Sequence, residues 1–414
     1  MPPAANVCRQ LAPAASGLDR PARGSHYGPA APGPLTDGRI PESHASMLEA
    51  PLFAFLGAVA LNLVATPWLI RYLRDRSLLD IPNARSSHDQ PVPRGAGIAI
   101  VGTWLLGMSS TWALRYPLPA LGIMAPDGFV LGTAAGMCVL AFLGYQDDRH
   151  NLNPYVKLVA QVAVTAGALW QSGLRVADLG LPFGGAHDLG ALGWVFAIVW
   201  LVGFTNIFNF MDGINGLAFT QLTVAGAAFC LMGVATNDYE LAIAGALASG
   251  AALGTLKYNF PRALIFMGDV GSLPSGFLLA MLALRAGFGA RAEGTPWIAA
   301  LFVLWPFIWD GGFTLVNRVY HRRNPFRPHR SHLYQRLYVT GMSHKSITLR
   351  YGVAMLACAI AGLAGQRRDP EILRGALALI LVGSALYTIR VVRRVRASMT
   401  EGRHVDVDQP RGPA

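Results

Sequence analysis

Residues 136–155 read GMCVLAFLGYQDDRHNLNPY. An apolar run stops there at two adjacent carboxylates, Asp147 and Asp148. Unpaired acids at the rim of hydrocarbon are costly, so by default they mark a functional site. The stretch therefore reads as the end of a membrane helix and as the edge of a site. Four more polar clusters stand at the ends of other apolar runs: RSSHDQPVPRG (85–95), NIFNFMDGING (206–216), FMGDVGS (266–272) and RPHRSH (327–332).

The rest of the chain supports the membrane reading. Its 414 residues are 53% hydrophobic and only 14% charged, where soluble domains carry about a quarter charged residues. Apolar stretches near the spanning length of about 20 residues recur at 52–70, 95–115, 128–145, 155–172, 191–209, 214–235, 240–256, 273–287, 297–317, 349–365 and 372–391. The expected fold is all-α, a polytopic membrane protein of about eleven transmembrane helices. Closely spaced pairs such as 214–235 and 240–256 read as helical hairpins.

A net charge of +11 raises nucleic acid as a partner, but its distribution argues against one. From residue 71 onward, 23 Lys and Arg fall on one alternating set of loops and ends, and 7 on the other. That bias is the positive-inside pattern. It predicts an external N-terminus, a cytoplasmic C-terminus and all five polar clusters on the cytoplasmic face of the membrane. The basic loops also suit anionic substrates and lipid headgroups. The four cysteines, Cys8, Cys138, Cys230 and Cys358, form no CxxC pair, which disfavours a disulfide framework or zinc site. Residues 1–46 lack the apolar core of a secretory signal and read as a disordered tail or a mis-set start before Met47. Residues 47–397 form the transmembrane domain, and 398–414 a cytoplasmic tail.

Each cluster has a plain reading beside a chemical one. Neighbours on a helix point about 100° apart, so Asp147 and Asp148 cannot form one clamp. One faces a metal or substrate while the other takes a proton or orients a lysine, or the pair is a solvated helix end. Lys157 suits a phosphate or is an interfacial snorkeller. Asn206, Asn209 and Asp212 recur every three residues on one helical face, which suits Mg²⁺-phosphate or nucleotide contacts, or hydrogen bonding between helices. Asp269 stands just before a helix whose N-terminus favours anions. Arg327, His329, Arg330 and His332 form a basic loop able to hold a diphosphate, and Arg85, His88 and Arg94 suit phosphate. Asp310, within FIWDGGF, reads as a functional acid or a helix-pairing one.

Taken in order over about residues 50–395, these motifs resemble the polyprenyl-phosphate N-acetylhexosamine-1-phosphate transferases. That superfamily includes the initiators of O-antigen and enterobacterial common antigen and phospho-N-acetylmuramoyl-pentapeptide transferase. The HRSH loop (329–332) looks closer to the O-antigen branch. The resemblance implies transfer of a sugar-1-phosphate from a UDP-N-acetyl-sugar to undecaprenyl phosphate, with release of UMP. It implies Mg²⁺ as the cofactor, with Mn²⁺ as a substitute, and membrane lipids and a homodimer among the partners.

Residue by residue, the resemblance makes Asp147, Asp148 and Asp269 the candidate catalytic acids, with Asp147 taking the proton from the lipid phosphate. Asp269 and Asp212 would hold the metal, with Asn206, Asn209 and Asp212 near the nucleotide diphosphate. Asn259 and Phe266 match positions that hold the uridine. Lys157, His329 and His332 would contact substrate phosphates, and Arg85, His88 and Arg330, read from their own basic loops, are further substrate-binding candidates. Asn215 stands where members often carry a second acid, which puts a metal role there in doubt. The rival reading, an ion-coupled transporter, expects acids at mid-bilayer in paired repeats. A structural scaffold would leave the aspartates unexplained.

Overall fold

Helices and closed barrels alone satisfy every backbone polar group in hydrocarbon, and this chain takes the helical solution. The structure, a computed structural model, describes residues 42–81, 90–114, 128–178, 188–289, 295–323, 331–367 and 369–400. Its helices are α1 (Glu42–Asp75), α2 (Gly97–Leu114), α3 (Gly128–His150), α4 (Pro154–Ser172), α5 (Leu192–Met211), α6 (Leu217–Ala235), α7 (Tyr239–Leu256), α8 (Asp269–Phe288), α9 (Trp297–Tyr320), α10 (Leu333–Val339), α11 (His344–Gly365) and α12 (Pro370–Thr400). All eleven expected helices are present, and the short α10 is an addition. Nine of the described helices are long and apolar enough to cross a membrane. α2 supplies a shorter apolar segment, Gly97–Thr111. α4, which carries Lys157 and Gln161, is not among the nine. The protein is a multi-pass helical membrane protein.

Several boundaries differ from expectation in ways that matter for the site. α3 runs on to His150, so both adjacent aspartates are helical. α8 starts at Asp269 itself, because Gly268 adopts φ +74° and ends the preceding loop there. α1 begins at Glu42, earlier than the expected 52–70 stretch. Residues 1–41 and 401–414 lie outside the described residues.

α8 is the axis of the bundle. Its span is 94% buried inside the protein, against 28% for α1 and 11% for α12. α3, α5, α2 and α9 pack around it, while α6 and α7 form the expected hairpin with α1 along α7. Phe53, Val64 and Trp68 on α1 and Leu379, Val382 and Leu386 on α12 face outward. So large an apolar surface would be a liability in water and suits lipid.

With lipid tails as apolar as leucine, helix association relies on close packing and buried hydrogen bonds. Asn62 donates to Thr103 Oγ1 at 2.8 Å and accepts from Thr255 Oγ1 at 3.1 Å, tying α1, α2 and α7 together. At the far end of α8, roughly 24 Å from Asp269 by helical rise, buried Arg285 pairs with Asp238 at 2.8 Å and Glu240 at 3.0 Å. Its guanidinium also lies 4.5 Å from the Phe129 ring centre.

At the Asp269 end, small residues let three helix ends converge. A Cβ on Gly144 of α3 would lie 2.1 Å from the Asp269 carbonyl oxygen, and one on Gly97 of α2 would lie 2.0 Å from Gly271 Cα. The antiparallel ladder of β1 (Leu79–Asp80) and β2 (Val92–Pro93) pairs Leu79 with Pro93 and Asp80 with Val92. It delivers Arg94 to the same place, where Arg94 bridges in parallel to Phe266.

Candidate active site

Only three residues separate α3 from α4, with Asn151 at φ +48° turning the chain and Asn153 capping Tyr155 N at 2.9 Å. The turn folds Lys157 back onto the acid ten residues earlier. Lys157 Nζ lies 2.5 Å from Asp147 Oδ2 and 4.0 Å from Asp269 Oδ2. The other Asp147 oxygen accepts from Leu152 N at 2.7 Å. A charge-assisted pair so placed holds both side chains, and it sets an ammonium between two carboxylates from different helices.

Asp148 points elsewhere, as the angular offset of neighbours requires. Its Oδ1 accepts from Asp269 N at 3.1 Å and its Oδ2 from Val270 N at 3.1 Å. Arg94 Nη1 donates to Oδ1 at 3.3 Å, and Arg94 Nη2 reaches Asp80 at 3.0 Å. Burial opposes the Arg94 charge, but Asp80, Asp148 and Asp269 outweigh it and raise the pKa above the ordinary arginine value. A cavity of about 430 Å³ opens beside Asp148 and Arg94, lined also by Tyr72, Leu78, Ile98 and Tyr145.

The expected stripe on α5 divides among three tasks. Asn206 forms a reciprocal amide pair with Gln161 of α4, donating at 2.6 Å and accepting at 3.3 Å. Its side chain is thus engaged in joining two helices. Asn209 donates to Asp269 Oδ1 at 3.0 Å and to Ser272 Oγ at 2.7 Å. Asp212 is the residue that ends α5, with φ −82° and ψ 46°, so it leaves the helical face. Its half-buried carboxylate accepts no hydrogen bond among the described residues. Burial first, then the Asp269 charge, pushes its pKa well above the ordinary value, and Arg94 pulls the other way.

The uridine candidates also serve the scaffold. Asn259 is buried; its Oδ1 accepts from Gly216 N at 2.5 Å and its Nδ2 donates to the Ile265 carbonyl at 2.8 Å. Asn215 Nδ2 donates to the Pro261 carbonyl at 3.1 Å. Phe266 is half-buried, and its backbone oxygen accepts from Gly95 N and Ala96 N.

His332 sits at the N-terminus of α10, with Nδ1 3.1 Å from Asp310 Oδ1. Asp310 also accepts from Leu333 N at 2.9 Å, Tyr334 N at 3.1 Å and Tyr351 Oη at 2.5 Å. The hydroxyl of Tyr334 donates to the Phe210 carbonyl at 2.9 Å, which seats α10 against the Asn209–Asp212 segment. Arg85, His88, His329 and Arg330 lie outside the described residues. Gln161 and Asp80 take part in this constellation although no motif marks them, and Ser272 closes the FMGDVGS cluster without having been assigned a task. Asp310 was legible only as an acid placed in hydrocarbon.

The donor set can be tested against a divalent cation. Among the described residues, no three His, Cys, Asp or Glu side chains gather closely enough to hold a metal alone. Asp212 and Asp269 nevertheless supply oxygen donors in a crowded, acid-rich setting where a cation would relieve repulsion. Two carboxylates completed by phosphate and water are the usual environment of Mg²⁺. The residues fit such an ion.

The family model for glycosyl transferase family 4 matches residues 130–287, the interval that carries Asp147, Lys157, Asn209 and Asp269. A decaprenyl-phosphate N-acetylglucosaminephosphotransferase of Mycolicibacterium smegmatis is 31% identical over 319 residues, covering 71% of this chain and 77% of that one. The chain belongs to glycosyl transferase family 4. A probable undecaprenyl-phosphate N-acetylglucosaminyl 1-phosphate transferase of Bacillus subtilis is 28% identical over 72% of this chain and 79% of its own length. The phospho-N-acetylmuramoyl-pentapeptide-transferase of Heliobacterium modesticaldum is 30% identical, with 68% and 89% covered.

Proposed function

We propose that this family member transfers an N-acetylhexosamine-1-phosphate from a UDP-sugar to undecaprenyl phosphate, releasing UMP and starting a lipid-linked glycan. The carrying observation is the junction of Asp147, Lys157 and Asp269 at the ends of three helices, inside the segment that matches the family. A lipid-phosphate oxygen attacks the β-phosphorus, a new P–O bond forms, and the bond to UMP breaks. Lys157 meets the phosphates, and Asp147 fixes that ammonium and receives the acceptor's remaining proton. The acceptor phosphate is already largely ionised near neutral pH, its second pKa being roughly 6, so Asp147 positions as much as it takes protons.

Mg²⁺, or Mn²⁺ in its place, supplies charge neutralisation between two anions and on departing UMP when bound. Asp269 and Asp212 would hold it. Asn209 aims Asp269, and the Phe266 ring is the surface offered to uracil. His332 and the basic loop preceding it would meet the diphosphate. The excess of Lys and Arg on the loops that carry this machinery supports a site on the cytoplasmic face of the inner membrane, on the same side as the UDP-sugar pool. All three relatives have sugar-phosphate transferase names, and nothing favours a transporter.

The test is UMP release by purified protein supplied with undecaprenyl phosphate and a panel of UDP-sugars. UDP-N-acetylglucosamine comes first, since two relatives bear that sugar in their names. Activity with one sugar, dependent on the lipid and on Mg²⁺, is expected. No UMP from any donor would overturn the proposal.

A further inference from the structure

The two adjacent aspartates differ in what their oxygens already do. Asp147 faces the reacting side through Lys157. Both oxygens of Asp148 are taken up by the first two N–H groups of α8 and by Arg94. Those N–H groups have no partner within a helix, and a carboxylate that receives two of them holds the first turn by charge-assisted bonds. The approach is sterically specified. A Cβ on Gly268 would lie 2.8 Å from both Asp148 Oδ2 and Arg94 Cγ, so only glycine leaves room for the contact. Arg94 is held in turn by Asp80, on the ladder that ends α1's connection to α2.

We infer that Asp148 is a positioning residue that seats the first turn of α8, and with it Asp269, through an Asp80–Arg94–Asp148 relay. The inference rests on the transferase reading for its kinetic consequence, and on geometry alone for its structural one. Outer partners of a metal-holding carboxylate typically set metal affinity by 10- to 100-fold. Asn at position 148 offers one acceptor oxygen where two N–H groups need one each. The first turn of α8 would loosen, Asp269 would wander, and the protein would need more metal. Asp147 should act differently, because its loss removes a group beside the reacting atoms.

The experiment compares Asp148→Asn, Asp147→Asn, Arg94→Gln and Asp80→Asn in full-length protein in nanodiscs. Three quantities are read: hydrogen exchange of the peptide spanning 266–275, Mn²⁺ binding in the presence of UDP, and UMP release against Mg²⁺ concentration. Asp148→Asn should speed exchange in that peptide and weaken Mn²⁺ by about tenfold or more. Its half-maximal Mg²⁺ should rise by a similar factor, with turnover partly recovered at high Mg²⁺. Arg94→Gln and Asp80→Asn should move the same readouts the same way by less. Arg94→Gln added to Asp148→Asn should add little, since contacting residues in one network are non-additive. Asp147→Asn should lower turnover at every Mg²⁺ concentration and leave the exchange unchanged.

Since Asp148 also borders the cavity, direct contact with substrate is the rival. A loss of turnover beyond about a hundredfold in Asp148→Asn, with exchange and Mn²⁺ binding as in wild type, would establish that rival and overturn the inference. Wild-type exchange, Mn²⁺ binding and turnover in Asp148→Asn would overturn it too. If Asp148→Asn does not fold, the two relay variants carry the test, and unchanged exchange in both counts against the relay. A wild-type protein that releases no UMP defeats the transferase reading, while the exchange measurements still decide the seating of α8.

Discussion

Lys157 Nζ lies 2.5 Å from Asp147 Oδ2, across the three-residue turn that joins α3 to α4. The pair couples an acid at the end of one helix to an ammonium in the first turn of the next. Neither side chain is replaceable by a neutral group of the same shape without leaving the other unmatched. Asp147→Asn and Lys157→Met should each insert normally and lose about a hundredfold or more in turnover, the scale of a positioned acid–base group. Steady-state UMP release on purified protein reads this. Either variant keeping more than about a tenth of wild-type turnover removes that residue from the proposed chemistry.

Asp269 is aimed by Asn209 at 3.0 Å and stands 4.0 Å from Lys157. Asp269→Asn should abolish most activity at any Mg²⁺ concentration, because transition-state stabilisation of several kcal/mol goes with it. Asn209→Ala should be milder, raising the Mg²⁺ needed for half activity by about tenfold. A metal titration of both variants tells the two apart. Equal losses would mean that Asn209 meets substrate itself.

Asp310 accepts from His332, Tyr351 and two backbone N–H groups, and is buried. Asp310→Ala leaves those donors unmatched, at about 1–3 kcal/mol for each group kept from water. A fall in unfolding temperature is expected in a detergent thermal-shift assay, with loss of activity from the unseated α10. A variant as stable as wild type would mean that α10 is held chiefly by its apolar packing.

Asn215→Asp places an acid directly before Gly216, where the family resemblance of the sequence leads one to expect it. Here Asn215 Nδ2 donates to the Pro261 carbonyl, and a carboxylate there loses that bond and faces a carbonyl. The cost should be about 1 kcal/mol, with turnover kept within about fivefold. Complete inactivation in a well-expressed variant would show that Asn215 has a task of its own in the reaction.

Orientation follows from charge alone. Loops 71–94, 146–154, 257–272 and 318–348 should face the cytoplasm and 173–190 the outside. In a background lacking the four native cysteines, Ala191→Cys, just beyond the external loop, should react with a membrane-impermeant maleimide in intact cells. Lys257→Cys should be protected. The reverse pattern would separate the acids from the UDP-sugar pool, and the transferase reading would fail.

The eleven long helices were legible from residues 52 to 391 because their cause is local. An apolar segment of spanning length can satisfy its backbone only within itself, so run length and composition specify each helix without reference to the others. Charge bias between loops and the spaced motifs were equally local, and they carried the family. The division of labour among the polar residues was not. Asn206 and Asn209 look alike in sequence, yet one pairs with Gln161 on α4 and the other aims Asp269 on α8. Asp147 and Asp148 are neighbours, yet one meets Lys157 and the other holds the first turn of α8. Asp80 and Arg94 join the latter from a ladder of two residue pairs. Which partner a side chain finds depends on where glycines let helix ends approach, and on the direction in which each residue leaves its helix. The tertiary structure alone decided that, because direct partners such as Asp148 and Asp269 lie 121 residues apart in the chain.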